Sequence, residues 1–154
     1  NIIKDVLENI ERYSAANNHY VFEITETIEM DQIPAVQNVF KEFAKNEFRF
    51  AIDDFGTGYS NYGYMRDRTF DIVKVDRSFV TDIDKLKDNY LMVSFIIKMA
   101  HEMGLHVCIE GVETKEELSC VKRLGADYIQ GYYYGKPVCL QDFEEQHLKR
   151  FVLG

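Results

Sequence analysis

The chain has 154 residues, 46% of them hydrophobic and 14% aromatic, which is enough apolar material for one packed core and too much for a disordered segment. Its formal charge of −8 excludes a broad DNA- or RNA-binding surface but permits a small anionic ligand gripped through metal ions. Cys108, Cys120 and Cys139 form no CxxC pair and fit a reducing cytoplasm, and no apolar run approaches the roughly 18 residues of a membrane span, so a cytoplasmic chain is expected, with any membrane anchor elsewhere in a longer parent.

Ile2, Ile3, Val6, Leu7, Ile10 and Tyr13 recur at three- and four-residue spacings and predict an amphipathic helix over 2–16. Residues 20–25, YVFEIT, predict a strand carrying Glu23 among apolar neighbours, where a carboxylate is costly unless paired or metal-bound. Val36, Val39, Phe40 and Phe43 mark a second helix. It leads into a strand in which Phe48, Phe50 and Ile52 alternate with Arg49, Ala51 and Asp53. Asp53 and Asp54 sit at the carboxyl end of that strand, and adjacent carboxylates repel each other unless a cation is held beside them. A hard divalent ion such as Mg²⁺ or Mn²⁺ is the usual solution. A loop with Gly56 and Gly58 follows, and residues 71–75, DIVKV, predict a third strand with Lys74 among its apolar residues.

Residues 90–103 read as an apolar helix that stops before Gly104, and 105–109 as a strand that delivers Glu110. Thr114 with Glu117 predicts a capping box for a helix ending near Leu124, with Gly125 just beyond it. A short strand over 127–130 and a closing helix over 141–151 complete the chain. Alternation of strand and helix implies an α/β fold with parallel strands, each bearing a polar group near its end: Glu23, Asp53 with Asp54, Lys74, Glu110 and Gln130. In a TIM-like (β/α)₈ barrel such ends converge on one mouth; a whole barrel needs about 250 residues, so 1–154 reads as the C-terminal part of a single barrel domain, about its last five βα units.

The segments FEITET (22–27), AIDDFGTGYS (51–60), DIVKVDRSFV (71–80), IEGVET (109–114) and GADYIQGYYYGKP (125–137) together resemble the EAL family of bacterial cyclic di-GMP phosphodiesterases, in the family's order and spacing. The resemblance implies hydrolysis of cyclic di-GMP to linear pGpG with two Mg²⁺ or Mn²⁺ ions. It also implies residue roles. Glu23, Asp53, Asp54 and Glu110 correspond to metal ligands; Lys74, Glu110 and Gln130 to catalytic residues; Asp53, Lys74 and Gln130 to groups that meet the substrate. Glu113 corresponds to an acid that anchors the glycine loop. The chemistry needs these types, because two cations neutralise the phosphodiester's oxygens and acidify the attacking water, and carboxylates are the ligands that hold them. Lys74 is open to two roles, orienting that water as a cation or taking its proton as a base.

The chain departs from the family in reading GYSNY, with Asn61 and Tyr62, where GYSSL is common. The Glu-Ala-Leu motif, an arginine-bearing motif and an asparagine ligand lie upstream in the family and are absent from this chain. The isolated chain is therefore expected to be inactive and to associate, as a homodimer or with the missing N-terminal part of its barrel. Two other functions fit the residues: a non-catalytic cyclic di-GMP receptor or interaction module, and, from Lys74 alone, a Schiff-base lyase. Tyr132, Tyr133 and Tyr134 read as rim packing or as a stacking surface for guanine.

Overall fold

The computed structural model describes residues 8, 20–25, 34–57, 70–143 and 145. Its elements in chain order are strand β1 (Val21–Thr25), helix α1 (Pro34–Lys45), β2 (Arg49–Phe55), β3 (Ile72–Val75), α2 (Lys87–Glu102), β4 (His106–Ile109), α3 (Lys115–Leu124), β5 (Tyr128–Ile129) and the single turn α4 (Leu140–Phe143). Apart from a helical Glu8, the helix expected over 2–16 lies outside the described residues, as do Gly58, Asn61, Tyr62 and most of the closing helix expected over 141–151. Among the described residues no helix is long and apolar enough to cross a membrane.

The strands form one parallel sheet in the order β1-β2-β3-β4-β5. A parallel neighbour requires the chain to return to the same end of the sheet, and α1, α2 and α3 make three of those returns. Helices α2 and α3 end as their sequence directs. Thr114 Oγ1 accepts the Glu117 N–H in a complete capping box, and Gly125 takes the left-handed C-cap of α3 at φ +89°. Helix α2 closes at Met103, ahead of a left-handed Gly104, but its start at Lys87 has no side-chain cap.

One face of the sheet is apolar. Phe50, Ile52, Val73, Val75, Val107 and Ile109 join a single core with Phe40 and Phe43 of α1, Val93, Ile96 and Ile97 of α2, and Leu118 and Val121 of α3. Helix α1 is held by aromatic rings, with Phe22–Phe43 and Phe40–Phe50 centroids each 4.8 Å apart and Phe43–Phe48 5.2 Å apart. Burying each such ring contributes about 2–3 kcal/mol.

The opposite face carries Glu23, Asp53, Lys74 and Cys108 and stays open, with Val21, His106 and Tyr128 exposed. It is also concave. The Arg49 guanidinium on β2 lies 5.9 Å from the ring centre of Tyr128 on β5. The two residues are three strand spacings apart, about 14 Å along a flat sheet, and their side chains lean toward each other across the face as they would on the inside of a barrel wall.

Candidate metal centre

Side chains from three strands converge on a lysine of a fourth. Lys74 Nζ lies 2.7 Å from Glu23 Oε1, 2.9 Å from Asp53 Oδ1 and 2.8 Å from Glu110 Oε1. The residue is 5% exposed, since β3 is the middle strand and is buried along its whole length. A buried ammonium is costly unless neutralised, and the strand register supplies the partners: Lys74 pairs with Cys108 two residues before Glu110, while Thr25, two beyond Glu23, pairs with Asp53. Burial would push Lys74 toward neutrality, but its contacts with Glu110, Glu23 and Asp53 outweigh that and hold its pKa above the usual lysine range. Burial likewise lifts the Glu110 carboxyl, with Lys74 opposing and the charges of Asp53 and Glu23 adding to the rise.

Asp54 reaches the same place by an irregularity in β2. Strict alternation would send Asp53 and Asp54 to opposite faces of the sheet. Instead Ile52 pairs with Val73 and Phe55 with Val75, so two residues of β2 face the single Lys74. This is a β-bulge, and Asp54 absorbs it with a left-handed backbone at φ +54°. Aspartate is one of the few residue types with a side chain that tolerates that region. As a result a carboxylate oxygen from each of Asp53, Asp54 and Glu110 lies within 4.8 Å of the others.

These residues fit a divalent cation. Three carboxylates contact one ammonium and a fourth, Asp54, lies beside Asp53 and Glu110, a local excess of negative charge that hard cations relieve. Asp53 Oδ1 is buried and accepts no hydrogen bond. Its 2.9 Å ion pair with Lys74 takes up one side of that oxygen, and a carboxylate oxygen has a second lone pair that can serve a ligand.

Of the other residues singled out in the sequence, Gln130 directly follows β5, where its N–H donates to Ile109 O at 2.8 Å and its carbonyl accepts from Val112 N at 3.2 Å. It lines an open groove of about 800 Å³ with Arg77, Gly111, Glu113, Tyr132, Tyr134 and Lys136, and Gly111 directly follows Glu110 in the chain. Lys136 Nζ stands 5.4 Å over the Tyr132 ring in the same groove. Glu113 is exposed and faces Arg77 at 3.7 Å; the glycine loop beyond Thr57 lies outside the described residues, and with it any contact to Glu113.

Sequence reasoning missed three features of the site. Cys108 is a direct neighbour of Lys74 across the sheet, and burial, then the Glu110 charge, push its thiol up to about 11, which makes it inert at neutral pH. Asp76 caps the 3₁₀ turn that follows β3 by accepting Ser78 N–H at 2.9 Å, a role its Asp-x-Ser setting signals. Glu117 does more than cap α3, for it also accepts the Asp82 N–H at 3.1 Å.

A family model described as the EAL domain matches residues 1–137. The chain is 35% identical over 131 residues to the cyclic di-GMP phosphodiesterase PdeB of Shewanella oneidensis, covering 85% of this chain and 15% of that protein. It resembles the solved EAL enzyme Bd1971 in its form with cAMP and cyclic di-GMP bound, with a TM-score of 0.83 and 33% identity over 93% of this chain and 38% of that one. Klebsiella pneumoniae BlrP1, solved with manganese and cyclic di-GMP, matches with a TM-score of 0.78 and 27% identity over 88% of this chain and 34% of that one. The chain spans well under half the length of the curated relatives it matches.

Proposed function

The chain belongs to the EAL domain family, and from that premise we propose that it forms the C-terminal part, residues 1–154, of one barrel domain that hydrolyses cyclic di-GMP to linear pGpG. The observation that carries this reading is the convergence of Glu23, Asp53 and Glu110 on Lys74, with Asp54 brought alongside by the bulge. Glu23, Asp53, Asp54 and Glu110 would hold two Mg²⁺ or Mn²⁺ ions, which when bound neutralise phosphate oxygens and acidify water.

The chain's own residues supply the rest. Lys74, kept protonated by three carboxylates, acts as a fixed cation beside the attacked phosphate and stabilises the charge that develops there. Gln130, at the end of β5, offers an amide donor and acceptor to the substrate or its water from the groove wall. Glu113 anchors the loop that follows β2. Relatives named as cyclic di-GMP phosphodiesterases and structures solved with that nucleotide support this substrate, and the chain's negative charge fits a ligand bound through cations.

The test is product analysis. The domain containing this chain, incubated with cyclic di-GMP and Mn²⁺, is expected to yield pGpG by chromatography, and chelation with EDTA is expected to stop it. Nucleotide that is bound but not cleaved would favour the receptor function, and cleavage unaffected by EDTA would remove the metal assignment.

A further inference from the structure

We infer that Glu117 is a positioning residue, one that ties the loop after β3 to the loop after β4 and so fixes Glu110 against Lys74. The inference rests on the hydrolytic reading above. Glu117 is 5% exposed and lies outside the carboxylate cluster, yet both of its oxygens are used. Oε2 accepts the N–H groups of Glu113 at 2.9 Å and Thr114 at 3.0 Å, and Oε1 accepts that of Asp82, 35 residues upstream, at 3.1 Å.

A capping box is served equally by glutamate or glutamine. The third bond is what requires the acid, because glutamine has one acceptor oxygen and its amide nitrogen would meet the Asp82 N–H donor to donor. The two linked loops begin at the proposed catalytic groups. Asp76 follows β3 directly after Val75, the neighbour of Lys74, and residues 110–114 start with Glu110. They touch at their near ends as well, where Gly111, at φ +71°, lies so close to Arg77 that a Cβ at 111 would collide with the Arg77 Cβ. Glu110 N–H donates to Val75 O at 3.1 Å and Val112 N–H to Gln130 O at 3.2 Å. With Glu117 holding the amides of Glu113 and Thr114, the loop bearing Glu110 is fastened to β3, to β5 and to the segment around Asp82. Asp82 itself takes a left-handed backbone at φ +56°, a region that non-glycine residues adopt at a cost.

The experiment compares Glu117→Gln with Thr114→Ala in the domain containing this chain. Thr114→Ala removes the hydroxyl that accepts the Glu117 N–H but keeps the link to Asp82. In Glu117→Gln the Asp82 amide is expected to exchange its hydrogen about tenfold faster than in wild type. Mn²⁺ affinity, read by electron paramagnetic resonance, is expected to fall about tenfold, and kcat about tenfold with KM within about twofold. Thr114→Ala is expected to lower the melting temperature while leaving Mn²⁺ affinity and kcat within about twofold of wild type. Wild-type Mn²⁺ affinity and kcat in Glu117→Gln would overturn the inference, as would equal losses in the two variants. If the wild-type domain makes no pGpG the hydrolytic reading fails, whereas exchange and Mn²⁺ binding still judge Glu117.

Discussion

Lys74 is a buried cation whose neutralising partners come from three other strands, so its loss acts on all of them at once. In Lys74→Met the carboxylates of Glu23, Asp53 and Glu110 keep their proximity and lose the charge that permits it. Metal-free protein is expected to lose about 3 kcal/mol of stability, the lower end for a broken buried pair because Glu23 is half-exposed and can be resolvated. Divalent ions bind only the folded arrangement, so Mn²⁺ should raise the melting temperature more in the variant than in wild type. Thermal melts with and without Mn²⁺ check this, and an equal rise in both proteins would mean that the ion does not share Lys74's carboxylates. The acids and the lysine were each legible in sequence as polar residues in apolar strands. Their convergence on one mouth was legible from the strand-helix alternation, but the particular ion pairs with Lys74 were not, because they depend on register between strands that lie far apart in the chain.

At the scale of the elements, Asp127 joins the start of β5 to the end of α2 and to β4. Its Oδ2 accepts Val107 N–H at 2.7 Å and lies 2.8 Å from His101 Nε2. Burial alone would raise its pKa, but the His101 and Val107 hydrogen bonds and the charges of His101 and His106 outweigh that and hold the carboxyl below the usual aspartate range. A carboxyl with a depressed folded pKa contributes stability that is present above its unfolded pKa and lost as pH falls through the folded one. Asp127→Asn should therefore be less stable than wild type at neutral pH and converge on it in acid, below the ordinary aspartate pKa of about 4, as denaturant titrations across pH would show. Parallel curves offset by a constant would assign the effect to packing.

The same scale shows how far local pattern reaches. The capping box and Gly125 define α3 to the residue because both are short-range chemistry. Helix α2 begins three residues before its apolar periodicity does, at Lys87, where no capping side chain marks the start. The bulge at Asp53 and Asp54 was hidden for the opposite reason. Alternation along one strand carries no record of an extra residue that only the pairing with β3 reveals.

For the molecule as a whole, the concave face is the feature without a local partner. Among the described residues nothing pairs with the outer edge of β1 or of β5, and Val21, His106 and Tyr128 are exposed on the inner wall. Sheet edges with no neighbouring strand among the described residues, beside an open face on which Val21 and Tyr128 are exposed, favour association. Purified residues 1–154 alone are expected to self-associate in light scattering and to form no pGpG in Mn²⁺ buffer; a monodisperse monomer with turnover would show that this sheet is a sufficient catalytic unit. The strand count and curl of a barrel wall were legible from the alternation of strands and helices.

The left-handed backbone at Asp54 sets folding against chemistry within one position. Glycine would adopt φ +54° with less strain, worth about 1 kcal/mol, and would also remove a negative charge from a crowded cluster. A library at residue 54 sorted only for resistance to proteolysis in the absence of metal should thus enrich glycine, while one sorted for nucleotide hydrolysis should return aspartate. Breeding this domain for robustness alone would select, at its best-placed carboxylate, against the reaction proposed for it.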